Sequence, residues 1–97
     1  MEYDNLKVGS LEEKFSLRLL LALKGEKRVV KGDLHRLVSK GVATTLDRLD
    51  KLEEMGLVWV DLEPVKPRRK FILLTPMGER VAEHLQAIED ELEHSPS

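Results

Sequence analysis

The sequence predicts a small α+β domain: a core of three helices, a two-stranded hairpin, and an additional C-terminal helix. Three observations carry this expectation. Apolar residues recur at helical spacing over 15–23 and again over 42–52. Two short runs rich in β-branched and aromatic residues, 57–62 and 70–74, flank a loop that holds two prolines and three cations. A last amphipathic stretch opens at Thr75-Pro76 and runs into an acidic C-terminus. With 97 residues the chain is expected to be one domain, 1–97, large enough for a single modest core but not for a separate ligand-binding domain.

The elements follow in order. Ser10 and Glu13 have capping-box spacing, which places a helix start there, because serine hydroxyl and glutamate carboxylate can each satisfy a free backbone N–H. The first helix is expected to continue to about Lys24, with Phe15, Leu19, Leu20 and Leu23 as its apolar stripe and Gly25 as its stop. Val29-Val30 is a short extended piece. A second helix, about Lys31 to Ser39, should turn Leu34, Leu37 and Val38 inward. Lys40-Gly41 is the turn, where glycine is free to take a positive φ.

The third helix, about Val42 to Met55, is the expected reading element. At 100° per residue Val42, Leu46, Leu49 and Leu52 fall on one side and must pack on the first two helices. Ala43, Thr44, Asp47, Arg48 and Lys51 fall on or near the other. Small residues at its N-terminal end would let the helix sit deep in a major groove, where Thr44 offers a methyl or hydroxyl to a base edge. Arg48 is suited to a bidentate guanine contact. Asp47 would repel phosphate, so it reads a cytosine amine, orients Arg48 or Lys51, or argues against nucleic-acid contact. An ordinary solvated helix face would look much the same.

Gly56 ends that helix, 57–62 is a strand, 63–69 a loop, and 70–74 the returning strand. Pro64 and Pro67 stiffen the loop tip and cannot donate to a strand ladder. Lys66, Arg68, Arg69 and Lys70, with no acid between 64 and 70, read as a phosphate or minor-groove contact. The plainer reading is a charged hairpin tip that discourages edge-to-edge aggregation. Thr75 is a good N-cap, Pro76 suits the first helical position, and Gly78 permits close approach of the last helix to the sheet.

The formal net charge of -2 hides a polarised distribution. Lys24, Lys27, Arg28, Lys31, Arg36, Lys40, Arg48 and Lys51 outnumber Glu26, Asp33, Asp47 and Asp50 between 24 and 51. Beyond residue 78 the acids Glu79, Glu83, Glu89, Asp90, Glu91 and Glu93 face only Arg80. Local sign, not the total, steers a protein toward phosphate. Other chemistries find little support. The chain has no cysteine, so disulfides, thiolate metal sites and cysteine nucleophiles are excluded. His35, His84 and His94 lack the spacing of metal ligands, the serines lack a nucleophile context, and there is no glycine-rich phosphate loop. No enzyme, metal site or cofactor is expected. No apolar run has the length of a membrane span and the N-terminus lacks a signal-peptide pattern, so a cytoplasmic protein is expected.

Met55-Gly56-Leu57-Val58, the basic hairpin and Leu74-Thr75-Pro76-Met77-Gly78, in that order, resemble the winged helix-turn-helix transcription regulators of the MarR/ArsR/PadR-like type found in bacteria and archaea. The resemblance covers most of the chain and is to the superfamily. It implies a helix-turn-helix and wing over 10–75 and double-stranded DNA as partner, with Lys40, Ala43, Thr44, Asp47, Arg48, Lys51 and the wing cations in contact. It does not carry over an effector pocket, and whether a small-molecule effector exists is open.

Within the last helix, 76–93, Val81, Leu85, Ile88 and Leu92 alternate in steps of four and three. That narrow seam suits a homodimer contact, or alternatively a helix lying back on its own domain. In the hairpin Val58, Val60, Ile72 and Leu74 can face the core, which leaves Trp59, Phe71 and Leu73 as an apolar outer face. Its cover could be Tyr3, Leu6 and Val8, the last helix, or a partner. Two functions therefore stand: a sequence-specific, homodimeric DNA-binding regulator acting as a repressor, or a winged-helix module that binds protein.

Overall fold

The computed structural model describes residues 6–12, 15–38 and 41–94, excepting the side chains of Val38 and Val42. A 3-10 turn, Lys7–Glu12, leads into α1 (Ser16–Glu26) and the short β1 (Val29–Val30). A second 3-10 turn, Lys31–Asp33, opens α2 (Leu34–Val38), and α3 (Val42–Glu54) follows. The hairpin β2 (Val58–Leu62) and β3 (Lys70–Leu74) precedes α4 (Pro76–Glu93). The sheet has the order β1-β3-β2 and is antiparallel throughout.

The core forms where α1, α3 and one face of the sheet meet. Leu19, Leu20 and Leu23 of α1, Leu34 of α2, Leu49 and Leu52 of α3, and Val58 and Ile72 of the hairpin are almost completely buried. The hairpin register pairs Val58 with Leu74 and Val60 with Ile72, so these four share the inner face as expected. β1 adds Val29 to it, opposite Ile72.

Several local expectations give way to tertiary contacts. α1 starts at Ser16, not near Ser10, which lies in the 3-10 turn; Glu13, the other half of the expected capping box, lies outside the described residues. The separate turn buries Leu11 in the core, and Phe15, with φ 72°, redirects the chain into the helix. Gly25 does not stop α1. The helix runs to Glu26 and ends at Lys27, whose own φ is 72° and whose N–H donates to the Leu23 carbonyl at 2.9 Å. Leu37 is 39% exposed instead of inward: α2 has only five residues, and among its described side chains Leu34 fills the core, while the side chain of Val38 lies outside the described residues. Gly41 has φ −61° and ψ 154°, an extended conformation open to any residue, so the turn does not use glycine's special freedom.

Two glycines near α4 do matter. Gly56 takes φ 78° directly after α3. Gly78 lies in the first turn of α4, where a Cβ would sit 1.9 Å from the Leu57 carbonyl oxygen. That approach seats α4 on the start of β2. Thr75 secures the same corner: its hydroxyl accepts from the Gly78 N–H at 2.9 Å and donates to the Gly56 carbonyl at 2.6 Å. Ala82 is fully buried and Val81 and Leu85 pack on the core, whereas Ile88 and Leu92 are 55% and 67% exposed. Half of α4 lies on its own domain, and its last two turns extend past it.

Part of the outer face of the hairpin is covered by a residue that was not among the expected candidates. Val30 pairs with Phe71, which places Arg28 on the same outer face, two residues earlier on β1's strand line. Its guanidinium stacks 3.6 Å from the Phe71 ring centroid and lies 3.9 Å from the Asp61 carboxylate, and Phe71 is buried beneath it. Leu6 and Val8 are exposed, so they do not supply the cover, and Tyr3 lies outside the described residues. Trp59 remains 49% exposed.

Candidate nucleic-acid interface

α3 has a core stripe of Thr45, Leu49 and Leu52, spaced i, i+4, i+7, with Leu46 on its shoulder. Thr45 was not expected on that stripe. Its burial is tolerated because the hydroxyl donates back to the Gly41 carbonyl at 3.0 Å, an i−4 bond that hides the polarity of the side chain. With Thr45 at the centre of the buried face, the opposite face is set. Ala43, Thr44 and Asp47 are exposed on it, and Lys51 is half-buried at its edge. Lys40 lies outside the described residues.

Arg48 is not on the outermost line of α3. At 100° per residue it stands 60° from Thr45, and its side chain is only 17% exposed. Its guanidinium is ion-paired and hydrogen-bonded to the Asp47 carboxylate. Of the three roles open to Asp47, the geometry is that of a residue orienting Arg48. The remaining acids of α3, Asp50, Glu53 and Glu54, lie in its last turns. The N-terminal half of α3 therefore carries one acid against three in its last turns.

The wing is held closed by an ion pair. Leu62 pairs with Lys70 at the end of the β2–β3 ladder, so Glu63 and Arg69 face each other as the next step outward. The Glu63 N–H donates to the Arg69 carbonyl at 3.0 Å. The Glu63 carboxylate accepts from the Arg69 backbone N–H and from Nε, both at 3.0 Å, and from Nη2 at 3.4 Å. These bonds to the Arg69 side chain and backbone hold the Glu63 carboxyl below its ordinary value of 4.5, and the carboxylate in turn raises the Arg69 guanidinium. Arg69, expected as a DNA contact, takes part in wing closure as well; the signal was available in the sequence as an acid and a cation flanking the loop symmetrically. Lys66, Arg68 and Lys70 are exposed, and none of them pairs with a described acid.

α3 and the wing border a common groove of about 420 Å³, lined by Leu46 of α3, Arg69 and Lys70 of the wing base, and Val30, Lys31 and Gly32 before α2. Lys31 was part of the basic stretch in sequence but not of the expected site; the β1–β3 pairing carries it to the wing base. The structure brings together Ala43, Thr44, Asp47 and Arg48 on one helix, and the wing base, Arg69 and Lys70, borders a groove with Leu46 of the same helix. Val81 and Leu85 face the domain's own core, apart from this surface. Among the described residues no group of three or more histidines, aspartates or glutamates could hold a metal ion, and no helix is long and apolar enough to cross a membrane.

No protein-family model matches the chain, nor does any curated protein. Solved structures do. A MarR-family regulator from Enterococcus faecalis V583 is 27% identical with a TM-score of 0.79, over 92% of this chain and 81% of that one. A MarR-family regulator from Porphyromonas gingivalis W83 is 22% identical with a TM-score of 0.77, over 99% and 96%. The Staphylococcus aureus MepR–DNA complex is 24% identical with a TM-score of 0.71, over 89% and 74%. Other regulators of this group are longer, and the chain spans 58% of a mutant Escherichia coli MarR chain solved with operator DNA. These neighbours are transcriptional regulators and not enzymes. The three-helix core, the hairpin seated beside α3 and the helix that follows it are the winged helix-turn-helix fold shared by MarR-family transcriptional regulators.

Proposed function

We propose that this protein is a sequence-specific DNA-binding transcription regulator, a homodimeric repressor that works in the cytoplasm and catalyses no reaction. The observation that carries the reading is the acid-free wing, with Lys66, Arg68 and Lys70 unneutralised on the hairpin whose base borders the same groove as Leu46 of α3. MepR and MarR, which share the fold, have been solved on DNA. In this reading residues 10–75 bind DNA and 76–93 dimerise. Thr44 and Ala43 meet base edges in the major groove, and Arg48 reaches a guanine from its position on Asp47. Lys51 and Lys31 lie along the phosphate backbone, Lys40 joins them, and the wing contacts the backbone or minor groove. Ile88 and Leu92 form the dimer contact, while Val81 and Leu85, expected in the same seam, pack on the domain's own core and support it.

Fluorescence anisotropy with duplexes from upstream of the protein's own gene tests this reading. Thr44→Ala should cost about 1–3 kcal/mol on the preferred site and leave binding to unrelated duplexes intact, because base-edge contacts carry the sequence information. Equal loss on every duplex, or none on any, would remove α3 as the reader. The half-exposed Trp59 on the outer sheet face favours a second reading, a protein-binding module. That reading predicts no salt-dependent affinity for any duplex.

A further inference from the structure

A second cleft, of about 340 Å³, opens on another side of the domain, between the end of α1, the end of β3 and the first turns of α4. Its volume is at the lower end of the range of about 300–1,000 Å³ typical of small-molecule sites. The floor is apolar: Leu23 and Leu74 are buried and Leu73 is half-buried. The rims carry opposite charge, with Lys24 and Lys27 from the α1 side and Glu79 and Glu83 from α4. None of these four side chains is ion-paired with a described residue. Arg28, at the mouth, is already engaged by Phe71 and Asp61.

Each rim alone has an ordinary explanation. Cations near the end of α1 and acids in the first turns of α4 complement the two helix dipoles. The arrangement of the two rims is less ordinary, since they face each other across an apolar floor without bridging. A ligand that closes such a gap must present an anion to one side, a cation to the other, and a hydrocarbon body to the leucines. We propose that this cleft binds a small zwitterion of the aliphatic α-amino-acid class. Its carboxylate accepts from Lys24 and Lys27, its ammonium donates to Glu79 and Glu83, and its side chain lies on Leu23, Leu73 and Leu74. One charge-assisted hydrogen bond of about 2.7–2.9 Å on each side, with the ligand between, links two rims that form no ion pair with each other. Bound there, the ligand clamps α1 to α4. The site is built from the fold alone and does not depend on the DNA-binding reading.

The test is an amide NMR titration of the full chain with three probes of similar hydrocarbon size: L-leucine, 4-methylpentanoate, which lacks the ammonium, and 3-methylbutylamine, which lacks the carboxylate. L-Leucine should give saturable shifts confined to residues 23–28, 73–74 and 79–83, and each single-charge probe should bind about ten-fold or more weakly. Replacing Glu79→Gln and Glu83→Gln together should abolish the preference for L-leucine over 4-methylpentanoate, while Lys24→Met with Lys27→Met should abolish L-leucine binding. Amide spectra unchanged outside the cleft show that the variants fold. Should either pair fail to fold, the three probes on the parent chain still decide. Shifts that do not saturate, shifts centred elsewhere, or equal binding of the three probes would overturn the proposal.

Discussion

Replacing Gly78 by alanine isolates the contact that seats α4. The added Cβ would lie 1.9 Å from the Leu57 carbonyl oxygen, 2.9 Å from its carbon and 3.2 Å from the Leu57 Cα. All three are backbone atoms, so no side chain can swing away to make room. Either α4 lifts or the start of β2 retreats, and the same carbonyl accepts the Thr75 N–H at 3.0 Å. Overpacking costs about 1–3 kcal/mol, and loosening the Thr75 cap or that hydrogen bond costs about 1 kcal/mol more. The better helix propensity of alanine offsets at most about 1 kcal/mol of this. The net expectation is a destabilisation of about 1–4 kcal/mol, a fall in Tm on the order of 5–30 °C for a domain of this size. Gly25→Ala is the control, since a Cβ there meets nothing within 4 Å and α1 is already helical. It should leave stability unchanged or raise it by up to about 1 kcal/mol. Urea and thermal unfolding of both variants, followed by circular dichroism, provide the comparison. A Gly78→Ala protein as stable as the parent would mean that α4 does not approach β2 this closely, and the role given to the Thr75 corner would fail with it.

The wing cations divide by role. Lys66→Ala and Arg68→Ala should each lower the log–log salt slope of DNA affinity by about 0.9 for every phosphate no longer neutralised, whereas Arg69→Ala should disorder the wing amides even without DNA; identical behaviour of all three variants would refute the division. The Glu63–Arg69 pair also sets a pH dependence. Because the folded Glu63 carboxyl is held below its unfolded value, its contribution to wing order is fully present above 4.5 and is lost as pH falls through the lower folded value. Amide shifts of residues 63–70 should report that transition in acid, and Glu63→Gln should remove it. For assembly, Ile88→Glu with Leu92→Glu changes only the exposed part of the α4 seam, so the fold should survive while the dimer dissociates. Sedimentation of the parent as a monomer at tens of micromolar, or of the variant as a dimer, would contradict a seam between two copies.

The hairpin and the start of α4 were legible because their chemistry is local. Alternation over 58–62 and 70–74 predicts which residues face the core, and Thr75, Pro76 and Gly78 act within a single turn. α1 was legible in its stripe but not in its ends. The cap at Ser10 was overridden by burial of Leu11, and Lys27 terminated the helix where Gly25 was expected to. Thr45 escaped because a hydroxyl signals exposure until its bond to the Gly41 carbonyl is seen.

The order of elements, the inner face of the hairpin and the sign of charge along the chain are already written in the residues, since periodicity and composition need no partner to express them. Which charges are available was settled by packing. Arg48 and Asp47 sit in consecutive positions, yet how far each is exposed depends on the rotation of α3 about its axis, which Thr45, Leu49 and Leu52 set by packing on the core. Glu63 meets Arg69 only because the ladder closes in one register, and Arg28 reaches Phe71 only because β1 joins β3. A cation's role depends on what stands within a few ångströms of it. For Arg28, Arg48 and Arg69 those neighbours are Phe71 with Asp61, Asp47 and Glu63, and of the three carboxylates only Asp47 is adjacent in sequence to the arginine it holds.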